Sequence, residues 1–481
     1  MNSDSLALIF VAGYLFCLPI IGWLVKSKNN QVREYYLAGG SVGFLGLFFT
    51  LYATTYSGNT MLGFAGRAYR DGPVSLFAVL GMAAVIPVFM LFARELNELA
   101  KKKKFITIAD FLRFRYHNAP LVYTVNLLLI ITLASYVLTN LKAAGLLLEV
   151  ISDGQIPMVY GIFGLATVMA FYESMGGMRA VIWTDMLQGI MLLVGGLLVF
   201  FIVLFNFGDA GTINDRVRLY TTGWEALDNY QLTKGISLIF MFGIAIAIYP
   251  HALQRIFAAK DWSTLQKSFK WMCVMPLVTT LPIMLTAMAA VLILGDIQYL
   301  EGSESDRVIP ILLQFLSQEF VFLKFILALF MAAALAAIMS TVDSALLSLG
   351  SMFTQDIVRP IYPKISDSRL ANVGRLMTWI LMFIMAALAV SLSNTIWSLI
   401  VLKLEIMLQV APSIILGVML KELKWQAVLG GVVVGVVSTL CLKFSPQISL
   451  NLLGIHAGIW GLLINLSSIF FVQLFLSRKT K

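Results

Sequence analysis

The chain has 481 residues, 59% of them hydrophobic and only 12% charged, with a mean hydropathy of +0.88. Soluble domains carry about one quarter charged residues, so this composition excludes the set of about three soluble domains that the length alone would suggest. Apolar runs recurring from end to end point to one polytopic bundle with no room for a soluble catalytic domain. The net charge of +9 falls on the segments between those runs, which favours a bilayer, and not nucleic acid, as the surroundings.

Runs of about 20 apolar residues mark bilayer spans, and thirteen are read here, near 5–26, 42–66, 73–98, 120–148, 156–176, 183–207, 235–257, 271–295, 320–350, 374–393, 395–420, 425–443 and 453–476. The first begins near Asp4 without a basic n-region and reads as a retained helix, not a cleaved leader. The second contains "YATTYSGNTMLGFAG", residues 52–66, with Thr54, Thr55, Ser57, Asn59 and Thr60 inside it. Such a set is costly in hydrocarbon unless an unwound backbone lines a cavity within the protein. In the fourth span, Lys142 and Glu149 stand close enough to the outer boundary to snorkel. Asp185, in "IWTDMLQG" near the inner end of the sixth, reads either as a helix cap at the interface or as an intramembrane acid with a task.

The seventh span carries Gly243 and then Pro250-His251. Its interruption and that of the second lie five spans apart, in segments of opposite direction. Paired broken helices in inverted halves point to a transporter's central site, while glycine and proline can also simply kink a membrane helix. The ninth span, "LALFMAAALAAIMSTVDSALLSLG", follows a run of small residues with Ser340, Thr341, Asp343 and Ser344. Hydroxyls and freed carbonyls are hard, neutral ligands that suit an alkali cation better than calcium or magnesium; hydroxyls also bond back to their own helix. Asp343 must be protonated or partnered, because an unpaired carboxylate there costs several kcal/mol in order of magnitude. In the eleventh span Lys403 and Glu405 are two apart and do not share a face, so each needs a partner on another helix or a vestibule.

Most of the 34 Lys and Arg, including Lys101–Lys104 and the tail Arg478, Lys479 and Lys481, fall on loops that put the N-terminus outside and the C-terminus inside. Cys17, Cys273 and Cys441 lie in apolar segments and are odd in number, so no disulfide framework is implied. The N-x-S/T match at Asn465 falls inside an apolar run, which fits a bacterial inner membrane. No G-x-x-x-x-G-K-[ST] or H-E-x-x-H is present, the three histidines are far apart, and Asp185 and Asp343 lack the Gly-x-Gly-Asp context of an intramembrane aspartyl protease. The chain is not expected to be an enzyme.

Four stretches in order, "EYYLAGGSVG", "SMGGMRAVIWTDMLQG", "YPHALQRIFAAKD" and "AAIMSTVDSALLSLGSMFTQDIVRP", resemble the sodium/solute symporters, the family of the glucose, proline, pantothenate and sialic acid carriers. The resemblance covers essentially the whole chain. It implies an all-α transporter domain over 1–481 built from two inverted five-helix repeats, about 42–208 and 235–420, with broken helices 2 and 7 and peripheral helices 5–26, 425–443 and 453–476. It also implies a sodium site formed by the carbonyls of Ala53, Tyr56 and Ala337 with the hydroxyls of Ser340 and Thr341. A second ion in some members uses an aspartate matching Asp185 and hydroxyls on span 9; here Asp343 stands in place of one hydroxyl, a departure that leaves three alternatives, that Asp343 replaces the ion, neutralises the site or carries a proton, with Asp185, Asp343 and Ser344 as the candidate second ion or proton site.

By the same resemblance Thr55, Ser57, Thr60, Tyr249 and His251 face the solute. Sialic acid carriers hold a carboxylate with an arginine on span 4, where this chain has Tyr136 or Val137. The Pro-His-x-x-x-Arg of span 7 is similar to that of pantothenate and monocarboxylate carriers, and a small carboxylate or amino acid is the expected solute. The function implied is sodium-coupled uptake across the inner membrane, in which a single chain suffices and an oligomer is left open. The alternatives are proton coupling through Asp343, or a transceptor read by a signalling partner.

Overall fold

The computed structural model describes residues 3–25, 31–152, 154–207, 227–294, 300–319, 321–391, 396–445 and 453–478. The loop 208–226, the ends of several predicted spans, and Lys479 and Lys481 lie outside the described residues. The elements in chain order are α1 (Ser3–Leu24), α2 (Val32–Leu37), α3 (Phe44–Thr55), α4 (Ala65–Asp71), α5 (Phe77–Lys103), α6 (Ile108–Tyr116), α7 (Ala119–Ile151) and α8 (Met158–Phe207). They continue as α9 (Asn229–Ala247), α10 (Pro250–Ala258), α11 (Trp262–Met272), α12 (Leu281–Leu294), α13 (Val308–Glu319), α14 (Val321–Met352), α15 (Asp367–Val390), α16 (Ile396–Leu408), α17 (Ala411–Met419), α18 (Trp425–Phe444) and α19 (Ala457–Arg478). Among the described residues there is no strand. A single bridge joins Val42 to Ala259, through Val42 N–Ala258 O and Lys260 N–Val42 O bonds of 3.0 Å each.

Side-chain caps set several helix starts. Asn118 accepts from the Leu121 amide at 3.0 Å, Asp228 from Gln231 at 2.8 Å and Asp261 from Thr264 at 2.8 Å. Thr107 and Asp110 form a reciprocal capping box on α6. Each cap contributes about 1 kcal/mol.

Among the described residues, ten helices are long and apolar enough to cross a membrane, or eleven when the pair 397–408 and 411–419, bent by 40°, counts as one. The sequence reading gives thirteen spans. The difference has two visible causes. α8 is continuous over 50 residues and takes in both 156–176 and 183–207; straight, it would reach about 75 Å, more than twice a hydrocarbon core of about 30 Å. It turns at Gly177, whose φ of +55° favours glycine, and a Cβ there would lie 2.4 Å from the Tyr35 carbonyl oxygen. The second cause is α3, which at 12 residues is too short to span alone.

α14 is the central helix: 78% of its most apolar window is buried, against 28% for α1, 33% for α18 and 22% for α19. Its run Ala332–Ala337 is fully enclosed, since small side chains let neighbouring backbones approach closely. The outer helices turn large apolar groups such as Phe16 and Phe470 outward, and α8 does the same with Phe205, as a lipid-facing surface requires. Lys142 does not snorkel. It is only 6% exposed and lies within reach of the charge of Asp306. Glu149 pairs with Arg307 at 3.9 Å near the surface.

Candidate ion and solute sites

The helical ladder of α3 stops inside the bundle. Tyr56 leaves the helix with φ −99° and ψ 103°, its amide bonded back to Tyr52 O at 3.0 Å. The next amides turn to Ser57. Asn59 N donates to Ser57 Oγ at 3.1 Å, and Thr60 N and Met61 N donate to Ser57 O at 2.8 and 3.2 Å. The chain then takes a π-helical turn over Asn59–Phe64, a geometry frequent at functional sites. Gly58 permits the break to press on α14, because a Cβ there would lie 2.1 Å from Ile338 Cγ1.

Oxygens from the two elements meet where the ladder stops. The Ser340 hydroxyl donates to Ala53 O at 2.8 Å and to Ala337 O at 3.0 Å, and the Thr341 hydroxyl donates to Ala337 O at 3.1 Å. All four residues are fully buried. The Ser340 hydroxyl bonds both to its own helix and across to α3, and that of Thr341 to its own helix, so four neutral oxygens converge in a water-poor site. Tyr56 stands one turn further, its ring 5.1 Å from that of Tyr52.

Asp185 lies inside α8 with no exposed surface, so it caps no helix and does not sit at an interface. The Thr50 hydroxyl donates to its Oδ2, and Arg255 Nη2 of α10 stands 3.7 Å from the same oxygen. Arg255 is equally buried; it donates from Nε to Thr50 Oγ1 at 3.2 Å, from Nη1 to His251 O at 3.2 Å, and from Nη2 to Ser344. Ser344 Oγ is 2.9 Å from Thr54 Oγ1. One guanidinium thus ties α3, α8, α10 and α14 together. Asp343 accepts from the Tyr172 hydroxyl, and the fully buried Glu173 lies within electrostatic range of both Asp343 and Arg255. Sequence reasoning did not pick out Arg255 or Glu173 as site residues, although the signal was available: both are ionisable groups within predicted spans.

A second break separates α9 from α10. Tyr249 is extended at ψ 130°, and Pro250 opens α10 at a position where its missing amide costs nothing. Between the two breaks lies a partly open cavity of about 20 Å³, room for about one water molecule. Thr55, Ser57, Thr60 and Tyr249 line it, joined by Asn59, Tyr136 and Lys403. His251 is not part of the lining. Its ring stacks against Tyr136 at 5.5 Å and lies 5.0 Å from Tyr249. The Tyr136 hydroxyl reaches Ser57 and Thr341, so one residue touches both the cavity and the oxygen cluster. A much larger surface cleft of about 510 Å³, among Lys104, Asp110, Arg113 and Arg359, touches neither.

The sequence model of the sodium:solute symporter family matches residues 35–435. The chain is 26% identical over 411 residues to a sodium/proline symporter of Staphylococcus aureus, covering 82% of this chain and 76% of that one. It is 27% identical over 474 residues to a sodium/glucose cotransporter of Vibrio parahaemolyticus, covering 90% and 84%. Its fold matches a Na+-coupled sialic acid symporter in a substrate-bound outward-open state, with a TM-score of 0.78 over 97% of both chains at 18% identity. With the family's match running through both broken helices and the central α14, the chain belongs to the sodium:solute symporter family.

Proposed function

We propose that this multi-pass membrane protein imports a small carboxylate or amino acid together with sodium, by alternating access of two inverted repeats about 42–208 and 235–420. Sodium and a small organic solute are the family's cargo; the solute class, the ion ligands and the direction are the proposal. The carrying observation is the meeting of Ala53 O, Ala337 O and Ser340 Oγ, within 3.0 Å of the serine hydroxyl, on two elements that a rocking motion would separate. A sodium ion taking these oxygens with Thr341 Oγ1 and the Tyr56 carbonyl would order the break of α3 against α14. That ordering completes the wall of the cavity beside Tyr136. The repeats then expose both cargoes to the other side.

Asp185 and Ser344, two of the three residues expected with Asp343 to form a second ion or proton site, are already engaged by the Arg255 guanidinium. That supports a single sodium per cycle. Uptake by reconstituted protein in vesicles with imposed gradients tests the reading: accumulation follows an inward sodium gradient and stops when choline replaces sodium. Accumulation driven equally well by a proton gradient without sodium would sink it in favour of coupling through Asp343. Solute binding with no transport would favour a receptor.

A further inference from the structure

Lys403 and Glu405 point to opposite sides of α16, and the structure treats them differently. Glu405 meets Lys443 at 2.6 Å and His456 at 3.8 Å. Lys403 is only 2% exposed, and among the described residues no ion pair or hydrogen bond reaches its ammonium. Its nitrogen instead lies 3.3 Å from the centre of the Tyr136 ring and 5.3 Å from that of Tyr249, on the lining of the cavity between the two helix breaks. A desolvated cation gains about 2 kcal/mol or more from an aromatic face, whereas removing it from water costs several kcal/mol. The balance asks for an anion, and none is supplied among the described residues. Across the same cavity, the buried amide oxygen of Asn59 also has no hydrogen-bond partner, and the hydroxyls of Thr55, Ser57 and Thr60 offer donors. The remaining walls, Phe64, Met82 and Phe242 among them, are apolar.

We propose that Lys403 is the carboxylate receptor of this cavity, which has room here for about one water molecule and widens to admit its cargo, and that the solute is a small organic acid whose carboxylate pairs with the Lys403 ammonium above the Tyr136 ring. A hydroxyl or amino group on the same acid donates to Asn59. This deepens the uptake reading and rests on the cavity being the solute site. It also relocates the positive charge: with tyrosine or valine on the helix where sialic acid carriers place an arginine, the cation comes from α16.

The test is thermal unfolding of the purified full-length chain in detergent, with lactate, pyruvate, propionate and alanine against the uncharged lactamide and glucose, in sodium and in choline. The acids raise the unfolding midpoint of the wild type in sodium, and lactamide and glucose do not. Lys403→Gln weakens the acids' effect by about 30-fold or more, the loss expected when one side of a buried charge pair is removed, while its midpoint still responds to sodium alone, which shows that it is folded. Lys403→Arg recovers part of the acid response. Equal shifts from lactamide and lactate, wild-type affinity for lactate in Lys403→Gln, or no response to any acid at about 10 mM overturns the proposal. Acid shifts in the wild type that are lost in Lys403→Gln but do not depend on sodium would uphold the receptor and sink the sodium reading.

Discussion

At the scale of single residues, the oxygen cluster and the buried ion pair make opposite demands. Removing one neutral oxygen from a cation's shell weakens binding without leaving a charge stranded. Ser340→Ala and Thr341→Ala should each raise the sodium concentration for half-maximal uptake about 10-fold, the worth of one hydrogen-bond-strength interaction, with little change in folding. Unchanged sodium dependence in vesicle uptake would remove that hydroxyl from the site. Arg255→Met is different, because it strands Asp185 inside the bundle. A cost of about 3–5 kcal/mol in stability is expected, read as a fall in the unfolding midpoint in detergent, with much of it restored by adding Asp185→Asn. The oxygen cluster was legible in the sequence because four polar residues within residues 340–344 of an apolar helix need a common reason. Arg255 was not singled out. It sits in a motif that reads as a family landmark, and only the fold shows that its partners come from three other helices.

At the scale of elements, the break in α3 depends on close contact with α14. Gly58→Val places bulk where Ile338 Cγ1 already stands 2.1 Å from an added Cβ; it should push the two elements apart and abolish sodium-driven uptake, and Ile338→Ala should return part of it. Normal uptake by Gly58→Val alone would show that the contact is dispensable. The interruption was visible in advance as a change from apolar to hydroxyl-rich composition. The continuity of α8 was not. Residues 177–182 read as a loop between two spans, yet only Gly177 departs from helical geometry, because one positive-φ residue suffices to turn the chain. The layout of the cavity was half legible. The resemblance named Thr55, Ser57, Thr60 and Tyr249 for it, Asn59 stands in the same polar break, and Lys403 was marked as a charge in need of a partner or a vestibule; that Tyr136 and Lys403 meet the break at one cavity comes from packing that no local pattern records, and the same packing sets His251 behind the lining.

At the scale of the whole molecule, the enclosed α14 and the lipid-facing α1, α18 and α19 describe a core sheathed by outer helices, and the loop charges predict a C-terminus on the inner side. A protease site appended after Lys481 should be cut in inside-out vesicles and protected in intact cells; cleavage from outside would reverse the orientation and with it the sense of transport. The confinement of Lys403 over the Tyr136 ring, in the cavity between the two breaks, has an electrical consequence. The lysine stays with the protein, so the charge moved per turnover is that of the cargo alone. One sodium with one monocarboxylate sums to zero, and such uptake draws no current and ignores an imposed voltage. A zwitterionic amino acid instead carries one positive charge inward, a current driven by about 2.3 kcal/mol per 100 mV. Recording current across a membrane bearing the reconstituted carrier would thus sort lactate-like from alanine-like cargo by the presence or absence of a signal, before any cargo is weighed by its affinity.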